Sequence, residues 1–468
     1  MASLPERMAL FIGNRPPGRF GHAFVKARDN VYHLDKNKAN GPISQPFSVG
    51  EGTFGGRYFS ETARCFKTRF PCVWDALSNR DFLLTIGHAF AIFGMVVCRF
   101  ILTFYASRIT QPTLSLRPSS RTQNMKETLM SHAPTVSVLL PIYNAAGTLN
   151  PAMRSLLRQT FDDFEVIAVD DDSDDGSPNI LKQWAKRDRR IKPIFHERVG
   201  LIGALNAGLM RAGGKFVARM DADDVSHPRR FELQVALMRA HPEVSVAGCL
   251  VRSFPKRSVR EGFRIYEAWL NSLIAHEDMV REIFIESPLA HPSTMMRRTE
   301  LIELGGYEDH GWPEDYDLWL RYHLAGKRFA KVPEVLYFWR EHQDRLSRTD
   351  PRYAVERFLR AKAHYLAQRP LKGAESVIVW GAGQTGRRLS KHLLREGVRI
   401  AAFVDVDSRK IGRTLRGIPV IAPDDLASTR GSAGFLLSAV SSRGARALIR
   451  KWAREREWEE GRDFWCVA

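Results

Sequence analysis

The order of apolar runs predicts an α/β protein: a parallel sheet covered on both faces, followed by a second, smaller α/β unit. Three observations predict it. From Thr135 onward, short apolar runs of strand length alternate with segments at helical spacing. Carboxylates gather where two of those runs end, at Asp170-Asp171-Asp172 and around Asp221 and Asp223. Near residue 380 a strand-length run leads through Gly381-Ala382-Gly383-Gln384-Thr385-Gly386 into another helix.

Composition narrows the class. A chain of 468 residues with 44% hydrophobic and 26% charged residues is globular, of a length for about three domains, and neither disordered nor collagen-like. Its five cysteines lack metal-ligand spacing and cannot staple a chain of this size, which points to a reducing compartment. The net charge is +18, with excesses of nine in 1–124, six in 375–468 and only three in 125–374. A nucleic-acid reader gathers its charge on one module, so a nucleic-acid partner is not expected. A solvated basic surface, able to lie near anionic lipid, fits the flanks better.

Residues 1–124 form a poorly patterned extension whose one organised feature is the hydrophobic segment 82–106. Residues 82–98 carry no Asp, Glu, Lys or Arg, at the lower edge of membrane-spanning length; a buried or interfacial helix is the alternative. Arg99, Arg108, Arg117, Arg121 and Lys126 follow with no acid before Glu127, which would keep the downstream chain cytoplasmic. No apolar core follows the first charges, so a secretory signal is not expected. Met125 opens a polar lead directly into a hydrophobic strand, so the native start is expected there. A single stretch of near-membrane length excludes a multi-span membrane protein.

Within the main unit, 125–348, the spacing predicts strands at 136–142, 164–169, 191–195, 215–220 and 244–248, with helices at 149–158, 180–186, 201–211 and 229–240. Ligands of such sheets bind beyond the carboxyl ends of the strands, where both acidic clusters fall. The pattern therefore predicts one crevice lined with carboxylates. An Asp-x-Asp pair suits a hard divalent cation, Mg2+ or Mn2+, shared with substrate phosphates. Asp170 and Asp171 can accept hydrogen bonds from a nucleoside. A lone acidic strand end is as readily a helix cap or a turn; two on neighbouring strands favour a site.

The segments SVLLPIYNAAGTL, SLLRQTFDDFEVIAVDDDSDDGS, GLIGALNAGL and MDADDVSHPRRFELQ stand in the order and spacing of family 2 glycosyltransferases. HPSTMMRR, GGYEDHGWPEDYDLWLR and WREHQDRLS resemble that family's acceptor half, and the likeness covers about 135–348. It implies the GT-A fold and an inverting, metal-dependent transferase. Such an enzyme moves one sugar from a nucleotide-diphospho-sugar to a hydroxyl of a glycan or lipid-linked acceptor in cell-surface polysaccharide biosynthesis. It would work at the cytoplasmic face of the inner membrane. By the same resemblance Pro141 and Tyr143 would line the nucleotide pocket, and Asp170 and Asp171 would hold base and ribose. Asn206 would lie near the sugar-nucleotide. Asp221 and Asp223 would form the metal motif, with Asp223 the direct ligand. Asp315 would be the catalytic base, Glu314 would contact the acceptor, and His342 would assist the metal or diphosphate.

Chemistry supports those roles. A cation offsets charge on the departing diphosphate, and a carboxylate can take the proton of the attacking hydroxyl. Asp315 is also an ordinary residue for a helix N-terminus that starts near Pro313. Trp312, Tyr316, Trp319 and Trp339 are expected mainly in the core, with sugar stacking as the alternative. Asp172 departs from the family, which carries Gly there. The chain lacks the Gln-x-x-Arg-Trp run of processive synthases, so single addition is expected. Acceptor choice would lie in 254–288.

A helical connector, 349–374, leads to the last unit, 375–468. A strand at 376–380, the glycine turn, a helix through Leu394 and a strand at 399–404 ending in Asp405 make a dinucleotide fingerprint. Gly381, Gly383 and Gly386 would let the backbone approach a diphosphate, and Asp405 would meet a ribose. FVDVDSRKIGRTLRGIPVIAPDDL is similar to small Rossmann-like domains found beside sugar-modifying enzymes. NAD(P) or another nucleotide is the expected ligand class, against a fold that binds nothing. Fewer than a hundred residues leave no room for a second substrate domain. An NAD-linked oxidoreductase or epimerase centred here, and a non-catalytic sugar-nucleotide scaffold, are the rival readings.

Overall fold

The computed structural model describes residues 23–27, 30–34, 133–426 and 434–468. The hydrophobic segment 82–106 and the start expected at Met125 lie outside them. Among the described residues, no helix is long and apolar enough to cross a membrane. The chain divides into two units, Met1–Pro118 and Ser119–Ala468. In the first, β1 (Ala23–Ala27) pairs antiparallel with β2 (Asn30–Leu34), Ala23 opposite Leu34 and Ala27 opposite Asn30. Strands of five residues are too short to impose a period on a 124-residue segment, which is why the sequence did not announce them.

The second unit begins with β3 (Val136–Ile142), α1 (Leu149–Leu157), β4 (Phe164–Asp171), α2 (Ser177–Arg187), β5 (Ile191–His196) and α3 (Gly200–Arg211). β3 and β4 are buried almost throughout, as continuous apolar runs must be in a sheet covered on both sides. Val138 and Leu140 face Ala152, Met153 and Leu156 of α1, while Leu139 faces Ala204 and Leu205 of α3. Ser137 is the polar exception inside β3. Its hydroxyl donates to Glu165 Oε1 (2.6 Å) and accepts from Gly214 N (2.8 Å), so the burial leaves nothing unpaired.

The sheet continues with β6 (Phe216–Arg219), β7 (Val225–Ser226), β8 (Val244–Phe254), β9 (Met295–Arg297) and β10 (Arg328–Arg340). Its eight strands lie in the order β5-β4-β3-β6-β9-β8-β10-β7. β3, β4, β5 and β6 run parallel, as do β8 and β10; β9 and β7 run antiparallel to their neighbours. β8 is eleven residues, about twice the expected 244–248. The expected end at Gly248 is a close approach, because a Cβ there would sit 2.7 Å from the Leu289 side chain. Pairing with β10 then carries β8 on to Phe254. Helices α4 (Arg230–Ala240), α5 (Glu261–Ser272), α6 (His276–Glu282), α7 (Arg298–Glu303) and α8 (Glu314–Leu324) complete this half.

After the short α9 (Leu346–Thr349), α10 (Val355–Gln368) leads to a second sheet built from β11 (Val377–Trp380), β12 (Ile400–Val404), β13 (Thr414–Leu415), β14 (Ile418–Ile421), β15 (Phe435–Ser438) and β16 (Phe464–Cys466). The order is β13-β14-β12-β11-β15-β16, parallel except for β13. Helices α11 (Gln384–Arg395) and α12 (Ala445–Glu455) pack on it. One core is continuous across both sheets: Leu139 and Ile167, then Tyr316 and Trp319, then Leu359 and Leu366 of α10, then Leu389, Val379 and Phe403.

Candidate active site

The loops after β3 and β4 are stitched to each other. Asn144 N donates to Ser173 Oγ (3.0 Å), Ala145 N to Ser177 Oγ (2.9 Å) and Ala146 N to Asp175 Oδ2 (2.8 Å). Asp172 sits between them at φ +64°, in the left-handed region. This is the position where the resemblance leads one to expect Gly, and Asp is among the few other residues that adopt that backbone readily. The stitched loops hold Pro141 and Tyr143 on the wall of a cavity of about 790 Å3 that also reaches Asp171, Arg198, Asp221, Asp223, Arg340 and His342. Tyr143 is half exposed, with the Arg198 guanidinium stacked 3.1 Å from its ring centroid.

Asp170 and Asp171 divide their work. Asp171 accepts from Val199 N (2.7 Å) and Gly200 N (2.9 Å), closing the N-terminus of α3. Both its oxygens are therefore engaged by the protein, although it lines the cavity. Asp170 accepts from Ser173 N through Oδ1 (3.1 Å), and its buried Oδ2 has no hydrogen-bond partner. Asn206 lies outside the cavity: Nδ2 donates to Tyr307 O (2.8 Å) and Oδ1 accepts from Tyr307 N (3.0 Å). It acts as a brace between α3 and the segment before α8.

The second acidic cluster is built by the turn after β6 and the end of β10. Asp221 is ion-paired with buried Arg219, and its N–H donates to the Tyr337 hydroxyl (3.2 Å). Asp224 accepts from that hydroxyl (2.8 Å) and from Arg340 N (2.6 Å). His342 Nε2 lies 2.9 Å from Asp223 Oδ2. Carboxylate oxygens of Asp221, Asp223 and Asp224 lie within 4.8 Å of one another. Burial raises the Asp221 carboxyl despite Arg219, and pushes Asp224 well above its usual range. Crowded carboxylates of this kind favour a nearby cation, and a set of carboxylate oxygens suits Mg2+ or Mn2+.

A second cavity, of about 400 Å3, shares Asp221 and Asp223 with the first and is also lined by Glu314 and Asp315. Leu201, Asp221, Asp223, Arg345 and Leu346 line both cavities. Asp315 stands in the first turn of α8, as its sequence context predicts, and burial together with the Glu314 charge pushes its carboxyl up to about 8. Glu314 is buried and gripped by the Tyr353 hydroxyl, which donates to its carboxylate (3.0 and 3.1 Å). His291 beside it is held well below the usual imidazole range by burial and by Arg219. Of the aromatics, Trp312, Tyr316 and Trp319 are core residues, and Trp339 lines this cavity.

The middle of the chain, residues 137–305, matches the family model described as glycosyl transferase family 2. EpsE of Bacillus subtilis (strain 168), named as a glycosyltransferase, is 36% identical over 232 residues, 48% of this chain and 80% of that protein. The chain belongs to glycosyltransferase family 2. The amylovoran biosynthesis glycosyltransferase AmsE of Erwinia amylovora is 31% identical, over 45% of the chain and 78% of its own length. Residues 373–430 match a second model, described as C2185-like, N-terminal. Among solved structures, S. aureus TarS 1–349 with UDP-GlcNAc aligns at 20% identity and a TM-score of 0.42, over 56% of this chain and 72% of that one.

The candidate site also contains residues that carried little signal in the sequence. Arg345 lines both cavities, donates to Glu341 Oε2 (3.1 Å), and lies over the rings of Trp339 (4.2 Å) and Phe263 (5.2 Å). Arg340 Nε donates to Asp223 O (2.6 Å), holding the turn after β6. Both stand in WREHQDRLS, so a signal existed; it gave no hint of which arginine faced the cleft. Arg219 and Tyr353 carried no signal, being an ordinary strand residue and a helix-flanking Tyr.

In the last unit a cavity of about 570 Å3 borders Gly381, Gly383, Gln384, Asp405, Lys410, Ser441 and Trp452. Gly381 has φ +121°, and a Cβ on Gly386 would lie 1.8 Å from Gly381 O. These two glycines are demanded by the backbone itself. Asp405 accepts from Ala382 N (3.0 Å) and pairs with Lys410 (2.9 Å), so its carboxylate first serves to fix the glycine turn.

Proposed function

We propose that this transferase moves one sugar from a nucleotide-diphospho-sugar to a hydroxyl of a glycan or lipid-linked acceptor, with inversion, in polysaccharide biosynthesis. The observation that carries the reading is the meeting of two cavities at Asp221 and Asp223, one ending at the nucleotide-side residues Tyr143 and Asp171, the other at Asp315. The biosynthetic setting draws on AmsE, whose name carries amylovoran biosynthesis.

In this reading the larger cavity takes the donor. Asp170 is buried and outside the cavity's lining, where its Oδ1 holds Ser173 N and so shapes the loop beside the base; Tyr143 offers a ring face to the base. Asp221, Asp223 and His342 would hold Mg2+ or Mn2+, which supplies positive charge for the departing nucleoside diphosphate. Arg345 adds a second cationic group on the wall shared by both cavities. Asp315 accepts the proton of the attacking hydroxyl from the side opposite the leaving group, which gives inversion. Glu314, fixed by Tyr353, orients the acceptor. The last unit is read as a Rossmann-like module for a nucleotide, supported by the backbone demand at Gly381 and Gly386. The family match falls on the middle of the chain and favours a transferase over an oxidoreductase centred on the last unit.

The test is Asp315→Asn. Transfer should fall by about a thousandfold, within the range for loss of a general base, while donor affinity measured by titration stays within twofold. Retained turnover would remove Asp315 as the base.

A further inference from the structure

α5 lays an aromatic row along one face at three-residue spacing. Phe263 and Tyr266 have ring centroids 5.7 Å apart, and Tyr266 and Trp269 also 5.7 Å. The row starts in the reaction cavity and leaves it. Phe263 lines the cavity of Asp315; Tyr266 lines both that cavity and a further cleft of about 740 Å3; Trp269 lines only the further cleft. Glu286 likewise borders both. The opposite wall of the further cleft belongs to the last unit: Val440, Ser441 and Ser442, then Arg443, Arg446, Arg450 and Arg454. The two regions are thus adjoining parts of one groove.

Arg446, Arg450 and Arg454 recur every four residues on one stripe of α12, and Arg443 stands in the turn two residues before that helix. The inner two are committed. Arg446 and Arg450 bind buried Glu282 (3.2 and 2.6 Å), and Arg450 also binds Glu460 (2.7 Å). Trp269 Nε1 donates to the same Glu282 (3.2 Å), which ties α5 to α12 across the cleft. The outer two, Arg443 and Arg454, are exposed and have no carboxylate partner among the described residues. Guanidinium groups in this state recognise phosphate or carboxylate bidentately. Glu286, at the junction, would repel an anion there, so an anionic group is favoured only farther along, at the arginine end.

We propose that the acceptor site extends past Tyr266 and Glu286 into the cleft between α5 and α12, where Arg443 at one end of α12 and Arg454 at the other take anionic groups of the acceptor beyond the sugar that attacks. The inference rests on the transferase reading above and adds a substrate class to it: the acceptor is an anionic glycoconjugate. Its charge is either the diphosphate of a lipid-linked sugar or the carboxylate of an acidic glycan. The last unit then has a direct part in acceptor choice, and the aromatic row supplies ring faces for the intervening sugar.

The test is a binding titration on the full chain in the presence of Mn2+ and the nucleotide-sugar it accepts. Three probes are compared: a short-prenyl diphosphate-linked monosaccharide, a uronate-containing disaccharide, and the matching neutral disaccharide. One anionic probe should bind at least tenfold more tightly than the neutral one, and which one identifies the source of the charge. Arg443→Gln with Arg454→Gln should abolish that preference, leave nucleotide-sugar affinity unchanged, and leave the unfolding midpoint within about a degree. Each single variant should give a partial loss. No preference for either anionic probe, or a preference that survives the double variant, overturns the inference. A chain that binds no nucleotide-sugar with metal fails the transferase reading instead, so the two failures are distinguishable.

Discussion

Asp315 meets two opposed demands. As a base it must be ionised, yet burial and the neighbouring Glu314 push its carboxyl up to about 8. The transfer rate should therefore rise with pH between 6 and 9, with a midpoint at or below about 8, since a bound cation nearby lowers it. A flat profile over that range would contradict the assignment. Stability should run the other way. The folded carboxyl holds its proton more tightly than the unfolded one, whose ordinary value is 3.8, so stability is lost as pH rises from about 4 to about 8. Asp315→Asn should remove of order 1 kcal/mol of that loss, visible as a smaller drop in Tm between pH 6 and 8. At Asp172 the positive φ makes a different prediction. Asp172→Gly should be neutral within about 0.5 kcal/mol, whereas Asp172→Val should cost roughly 2 kcal/mol in urea unfolding. The acidic residues were legible by type and place, and their division of labour was not. Nothing in a run of three aspartates distinguishes Asp171, whose oxygens cap α3, from Asp170, whose Oδ2 stays unpaired.

The parallel strands β3, β4 and β6 were legible as elements because burial on both faces leaves them almost continuously apolar, and the helices between them because each covers only one face. β8 and β10 were less so. Both run past the point where their apolar pattern lapses, held by pairing with each other across shifts in register near Val332 and Val335. Such pairing is a long-range event that no local window contains. The glycine turn between β11 and α11 is the reverse case, a local requirement written in the sequence. Gly386→Ala must displace backbone, because its Cβ would meet Gly381 O at 1.8 Å. The expected cost is about 2 kcal/mol or more, read as a lower unfolding midpoint with donor binding intact at 25 °C.

At the scale of the molecule, the two sheets share a core through α10, and Lys362 on that helix fastens them. Its buried ammonium donates to Ile285 O (2.7 Å) and to Val467 O (3.0 Å), one on each side of the junction. Lys362→Met should cost about 1–3 kcal/mol by leaving those carbonyls short of a donor. The sequence signalled two α/β units and a helical connector, but not their fusion, because Lys362 and Glu282 look like ordinary surface charges until the partner elements are in place. Function in this account depends on a single corner, the turn at Asp221 and Asp223 where the cavities of the two reactants meet. The most direct test is the thermal stability of the full chain with UDP-, GDP- and dTDP-sugars, each with Mn2+ or EDTA, for wild type and Asp223→Ala. A ligand that binds only the folded state raises its midpoint. A Mn2+-dependent rise is expected with one class of nucleotide-sugar in the wild type, and its loss in Asp223→Ala; an equal rise in EDTA, or in the variant, would contradict the role of Asp223 in holding a cation.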